Sequence, residues 1–254
     1  MAFAMRQAEP SDLDTVLSLL ENRVTWLHEK GTAQWQTSIF HQRLASIISR
    51  GETWLLLDEA QTPVQAVGTV TVQTEGDPGF WYTHELQTPA LYISKMATRV
   101  DRRGEGLGRL IVSWCSDFAA RRGMVAVRWD AWRTNSKLHD YYVGIGARFL
   151  RMAGDGDGNL LHPLPARASS YVVSGALFEV SPVITDDLPV STRFRSEDTP
   201  QPRRGAVKLK QYLSGYDRPD NMGQSQFSPE EPAYDGPEDT VKLLIDRCNP
   251  GFRS

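Results

Sequence analysis

The sequence predicts an α/β (α+β) fold: a mixed, mostly antiparallel sheet with helices on both faces, followed by a proline-rich C-terminal tail. Three observations predict it. Along residues 1–180, short apolar runs of strand type alternate with segments whose apolar residues recur every three or four positions. One strand-to-helix junction, over residues 99–109, is a basic glycine-rich turn. Large apolar groups also stop early. All seven tryptophans lie between Trp26 and Trp132, whereas the 74 residues beyond Val180 hold nine of the 15 prolines and no tryptophan.

The elements follow in order. Residues 2–7 read as a strand. Ser11 is placed to cap a helix that carries Leu13, Val16, Leu17, Leu20, Val24 and Leu27 on one face. A second helix is expected over 39–49, then a strand hairpin over 53–58 and 64–73. The strand 91–98 feeds the glycine-rich turn. The helix after it, 107–121, buries Leu107, Leu110, Ile111, Trp114, Cys115 and Phe118. A strand over 125–131, a helix over 136–145 and closing strands over 148–153 and 171–180 complete the globular part. Residues 1–180 are therefore expected to form the domain. Residues 181–254 are too poor in large apolar groups to offset the entropy of ordering, and are expected to be extended or disordered. Within that tail, Val241, Leu244, Ile245 and Cys248 keep a helical spacing over 237–248.

Composition excludes several classes. A net charge of −3 with pI near 6.0 lacks the basicity of a nucleic-acid binder. No apolar run approaches membrane-spanning length, and the start lacks a basic region followed by an apolar core, so the cytoplasm is the expected compartment. Cys115 and Cys248 match no metal or disulfide pattern, and the five histidines show no metal spacing, so no metal is expected. The segment 155–166 begins like a calcium loop but has Leu160 and Ala166 where glycine and glutamate are needed.

The turn carries the chemistry. Ala97-Thr98-Arg99-Val100-Asp101-Arg102-Arg103-Gly104-Glu105-Gly106-Leu107-Gly108-Arg109-Leu110 runs from strand end to first helical turn. The first amides of a helix have no internal partners and face an anion, and glycines let the backbone approach a phosphate. Arg102 and Arg103 add positive charge. The Walker A spacing with its Gly-Lys-Ser/Thr is absent, and Arg109 stands where the dinucleotide fingerprint needs its third glycine. What remains is Arg103-x-x-Gly106-x-Gly108.

That spacing resembles the acetyl-coenzyme A pyrophosphate loop of the GCN5-related N-acetyltransferases, and the element order is similar over residues 3–180. Downstream, Asn135 and Tyr142-x-x-x-Gly146 also match, with Ala147 replacing the family's usual Phe and Phe149 expected to fill the gap. Residues 26–35 look like the first-helix region that shapes the acceptor pocket. The resemblance implies the acyl-CoA N-acyltransferase fold and transfer of an acetyl group from acetyl-CoA to a primary amine by direct attack. The amides of Arg103, Gly104, Gly106, Leu107, Gly108 and Arg109 would hold the pyrophosphate. The backbone of Met96, Ala97 and Thr98 would hold the pantetheine arm. Asn135 would touch the cofactor, although a plain helix N-cap explains it nearly as well. Tyr142 would protonate the leaving thiolate, against a cost of about 2 kcal/mol between reference pKa values. Asp130 and Glu85 are the candidate general bases, each with a structural alternative: an ion pair for Asp130, a solvated loop charge for Glu85. His84 and His139 are further candidates for proton transfer by residue type.

The expected partner is a small-molecule amine, for which Trp26, Trp35, Trp81 and Trp132 could line a pocket. Neither nucleic acid nor membrane is expected. A homodimer, and a tail contacting its own domain or a partner, stay open. So do two other functions: a protein N-acetyltransferase, and a non-catalytic acyl-CoA-binding or interaction module.

Overall fold

The computed structural model describes residues 3–31, 40–153 and 174–195. The expected helix at 237–248, the calcium-like segment at 155–166, Trp35 and the acceptor-region residues from Thr32 on lie outside them. Eight strands form one sheet: β1 (Phe3–Gln7), β2 (Thr53–Asp58), β3 (Gln65–Gln73), β4 (Ala90–Thr98), β5 (Ala126–Trp132), β6 (Arg148–Met152), β7 (Ser174–Val180) and β8 (Val190–Arg193). Their order across the sheet is β6-β7-β5-β4-β3-β2-β1-β8. Only β4–β5 and β1–β8 pair in parallel. The helices are α1 (Leu13–Glu29), α2 (Phe40–Ser49), a one-turn α3 (Thr83–Leu86), α4 (Leu107–Ala120) and α5 (Ser136–Gly144).

Alternation along the strands divides the core between two faces. Trp54, Leu56, Val70, Val72, Leu91, Ile93, Val127 and Trp129 point to the α4 side, where they meet Ile111, Trp114 and Cys115. Leu55 and Leu57 point the other way, to Val16, Leu20, Leu44 and Ile48 of α1 and α2. Cys115 is fully buried, and burial pushes its thiol far above the ordinary range, so it is a core residue. The start of α1 differs from expectation. Pro10–Asp12 form a tight turn in which Asp12 Oδ2 accepts from the Glu9 amide at 2.7 Å, so Asp12, not Ser11, organises the entry. Arg6 grips the same carboxylate through two 2.9 Å bonds.

The sheet also extends beyond the boundary expected at Val180. After β7 the chain crosses α4: Ser116 Oγ accepts from Val183 N at 3.0 Å, and Asp117 Oδ1 accepts from Thr185 N at 2.8 Å. It then adds β8 beside β1. Phe194 closes an aromatic cluster with Trp54, Trp114 and Phe118, and Trp114 Nε1 donates to Thr192 Oγ1 at 2.9 Å. Arg195 donates to the carbonyls of Ala8, Ile48 and Ser49, capping the end of α2. The expected extended tail therefore holds a sheet strand in residues 190–193. Its proline-rich composition hid the strand because four residues suffice when the apolar partners come from elsewhere.

Candidate active site

The central parallel pair separates partway along its length. β4 and β5 are matched only over Ala90–Tyr92 and Ala126–Arg128. Beyond that point β4 continues against β3 to Thr98, and β5 continues against β7 to Trp132. The facing edges are unpaired there and border a slot. A bulge in β4 supplies a physical reason: Thr71 faces Ser94 and Thr69 faces Ala97, so Lys95 and Met96 together oppose Val70. Lys95 adopts φ +48°, a left-handed conformation that a side chain enters at about 1–2 kcal/mol. Such a bulge bends the strand and re-aims its side chains. Met96 packs against the main core and Ala97 is buried. The Arg99 amide donates to Val67 O at 2.9 Å, so alternation turns Thr98 toward the slot. Its carbonyl there accepts from Arg23 Nη2 at 2.6 Å.

The glycine-rich turn ends at the mouth of this slot. Gly104 has φ +89° and Gly106, the N-cap of α4, has φ +75°. A Cβ on either would meet nothing within 4 Å, so glycine is required by conformation and the turn faces open space. The helix ladder starts with Leu110 N to Gly106 O at 2.9 Å, which leaves the amides of Leu107, Gly108 and Arg109 without intrahelical partners. Arg102, expected to add charge for the ligand, is committed elsewhere. It pairs with the buried Asp58 at 3.0 Å and with Glu105 at 2.5 Å, pinning the turn to β2. Arg103 is exposed, with its guanidinium 5.5 Å from the Trp26 ring centroid; Arg23 lies 5.2 Å from the same ring. Neither forms an ion pair among the described residues. Burial and then the charge of Arg103 push the Arg23 guanidinium below its ordinary value. Two cations sharing one ring favour an anion beside them.

Helix α5 closes the slot from the α4 side. Asn135 Oδ1 accepts from Leu138 N at 3.1 Å, so the N-cap role is present whatever else Asn135 does. Tyr142 is buried, its ring 5.2 Å from both Trp129, the first β5 residue past the paired segment, and Phe178. Burial, then Tyr141 and Asp130, push its phenol well above the ordinary value against the pull of Arg23, so it stays protonated at neutral pH. Tyr141 points elsewhere, as the 100° step of a helix requires, and its hydroxyl lies over Gly108. Arg109 ties the two helices by donating to Gly144 O at 3.2 Å. Ala147 is buried, and Phe149 packs edge-on against Phe178 at 5.5 Å while staying 43% exposed, so it fills the expected gap only from the rim.

The two candidate bases part company. Glu85 lies on α3, not on a loop, and is buried. Arg151 grips both its oxygens at 2.7 Å, and the Tyr82 amide donates to Oε2 at 2.8 Å. Burial alone would raise its carboxyl, but Arg151 and the Tyr82 amide outweigh that and hold it below the usual range. Its solvated-charge alternative fails too: the carboxylate anchors α3 to β6. Asp130 is half-buried on β5, and its charge acts on both Tyr142 and Lys95. His139 Nε2 lies 2.9 Å from Trp132 O, and His84 stacks on Tyr82.

Lys95 and Arg23 escaped the sequence reading. A lysine inside the apolar run Leu91–Ala97, and an arginine beside Leu20, Val24 and Leu27, were the available signals.

The chain is similar in sequence and fold to known proteins. The sequence profile of the Acetyltransferase (GNAT) family matches residues 20–146. The uncharacterized N-acetyltransferase YesJ of Bacillus subtilis is 23% identical over 142 residues, covering 55% of this chain and 78% of that protein. A GNAT-family acetyltransferase structure from Listeria monocytogenes superposes with TM-score 0.52 at 18% identity, covering 70% of this chain and 94% of that one. One from Streptococcus agalactiae gives TM-score 0.54 at 14% identity, covering 70% and 95%. The match of half the chain to the family profile, on a sheet with this split, shows that the protein is an acyltransferase and belongs to the acetyltransferase (GNAT) family.

Proposed function

We propose that the protein transfers an acetyl group from acetyl-CoA to a primary amine of a small molecule. The observation that carries this reading is the position of one open anion cradle, at Gly104–Arg109, at the mouth of a slot whose wall holds the buried phenol of Tyr142. In this reading the amides of Leu107, Gly108 and Arg109 hold the pyrophosphate with help from the α4 dipole, and Arg103 adds charge from outside. Thr98 and the neighbouring β4 edge hold the pantetheine arm, as a strand would hold another strand. Asp130 takes the proton of the attacking ammonium. The nitrogen–acyl bond forms, the carbon–sulfur bond breaks, Tyr142 gives its proton to the sulfur, and the second proton that the nitrogen sheds as the amide forms restores the phenol. The raised pKa of Tyr142 keeps the phenol protonated before the thiolate forms but adds to the uphill cost of the transfer, which placement against the sulfur in a water-poor site has to offset. Glu85 serves the fold rather than the reaction. Neutral compartments suit this chemistry, and among the described residues no helix is long and apolar enough to cross a membrane.

The test is thiol release from acetyl-CoA by the full chain with a broad panel of amines. Release that depends on one class of amine supports the reading. Tight CoA binding with no release from any amine overturns it in favour of a binding module.

A further inference from the structure

Arg23 stands at the margin of the buried stripe of α1. Leu20, Val24 and Leu27 are buried, and Arg23, one position before Val24, reaches from that stripe across to β4. Its Nη2 donates to Thr98 O at 2.6 Å and to Thr98 Oγ1 at 3.1 Å, two bonds to a residue 75 positions downstream. Thr98 is the last residue of β4, on the stretch that has parted from β5. Arg23 thus ties the end of the open edge to α1. Both bonds use one nitrogen of the guanidinium. Nε and Nη1 also carry N–H groups, and they have no hydrogen-bond partner among the described residues.

The charge at this corner is unbalanced. Arg99 is paired with Asp101, and Arg102 with Asp58 and Glu105. Arg109 donates to the Gly144 carbonyl. Arg103 has no such partner among the described residues, and its guanidinium stands 5.5 Å from the centroid of the Trp26 ring, to which Arg23 comes within 5.2 Å. Contact with the ring offsets part of the cost of holding each cation there, but it leaves their mutual repulsion in place. A bound anion would remove it. Arg103 belongs to the same turn as Gly104 and Gly106, which face open space, and the unpaired amides of α4 begin directly after Gly106. An anion on those amides therefore has Arg103 in its own turn, and Arg23 beside the ring that Arg103 shares.

We propose that Arg23 binds the acyl donor: with Nη2 fixed to Thr98, it offers its remaining N–H groups, together with Arg103, to the pyrophosphate of acetyl-CoA. This rests on the acetyl-transfer reading above. One side chain then joins the two parts of the donor site, the anion cradle and the β4 edge that takes the pantetheine arm. Arginine suits this better than lysine, because its planar fork serves two acceptors at once in a fixed geometry.

The experiment measures binding of CoA and of dephospho-CoA to the full chain by calorimetry, at low and at high salt, for the parent, Arg23→Met and Arg23→Lys. Dephospho-CoA keeps the pyrophosphate and lacks the 3′-phosphate, so it separates the two sources of negative charge. At low salt Arg23→Met should weaken both ligands by about ten- to a hundredfold, the effect of a lost hydrogen bond to a charged group. It should also flatten the dependence of Kd on salt, because a screened contact is gone. Arg23→Lys keeps the charge, so it should keep the parent's salt dependence with a smaller loss of affinity. An Arg23→Met chain that binds both ligands as the parent does overturns the proposal. So does a loss confined to CoA, which assigns Arg23 to the 3′-phosphate. A loss that keeps the parent's salt dependence overturns it too, since that is what support of β4 alone predicts. Should Arg23→Met fail to melt cooperatively, Arg23→Gln carries the same comparison. Each of these outcomes leaves acetyl transfer standing, whereas a parent chain that binds neither ligand defeats the transfer reading and this proposal together.

Discussion

The Tyr141 hydroxyl stands over Gly108 so closely that an ideal Cβ there would lie 2.5 Å from it, with the ring carbon behind it at 3.4 Å. Gly108 is helical, so its glycine is required by this neighbour and not by its backbone angles. The two conformational glycines of the turn are Gly104 and Gly106.

Gly108→Ala should therefore displace Tyr141 and loosen the junction of α4 and α5, costing about 1 kcal/mol because the clash is with the end of one side chain. The affinity for CoA should fall several-fold. Adding Tyr141→Phe removes the clashing oxygen and should restore most of the loss, a coupling that a double-mutant cycle in calorimetric CoA binding measures. Gly106→Ala should show no such rescue, because its penalty of about 1–2 kcal/mol comes from its own left-handed φ.

Tyr142→Phe should lower kcat by about 10²- to 10³-fold, the range of a lost general acid, with CoA affinity preserved. In the parent protein Tyr142 is protonated below its raised folded pKa, so it should impose no fall in rate between pH 6 and 10. The unfolded phenol ionises near pH 10, so the stability from keeping it neutral is full below that value. It should be lost as pH rises further. Rate and melting profiles against pH read both effects.

Glu85→Gln should leave acetyl transfer largely intact but destabilise the fold by about 2–4 kcal/mol, because it strips Arg151 of a buried partner. The folded carboxyl titrates below its ordinary value, so its stabilising contribution is present above the unfolded pKa of about 4.3 and is lost as pH falls through the folded one. The melting temperatures of parent and variant should differ at pH 6–8 and converge as pH falls through the lowered folded pKa of Glu85. A large kcat loss with unchanged stability would restore Glu85 as the base.

Residues 181–195 should behave as part of the domain. A chain ending at Arg195 should melt as the full chain does, while one ending at Val180 loses Phe194, Thr192 and the Arg195 cap on α2. Phe194→Ala alone should cost about 2 kcal/mol, since its ring is only partly buried in the Trp54–Phe118 cluster. Thermal denaturation of the three chains decides it.

Much of the site was legible because its signals are local. Gly104 and Gly106 mark left-handed turns, Asn135 marks a cap, and the helical spacing separates Tyr142 from Tyr141. The same spacing that named Arg103 also suggested Arg102, yet only the fold reveals that Asp58, 44 residues away in sequence, claims that side chain. Glu85 looked like a loop charge because its partner Arg151 lies 66 positions downstream. The strand at Val190–Arg193 is four residues long, and its aromatic and carbonyl partners come from β2, α4 and the end of α2.

By itself, then, the sequence determined the left-handed glycine turn at Gly104–Gly106, the helical placing of Tyr142 apart from Tyr141 and the alternation of elements, since each depends on neighbours within a few residues. The tertiary structure decided which charges are available. Arg102, Glu52 and Glu85 are each neutralised by a partner, and Lys95 stands in a left-handed bulge of β4. Whether a charge is free depends on what the folded chain brings against it, and no local pattern encodes that.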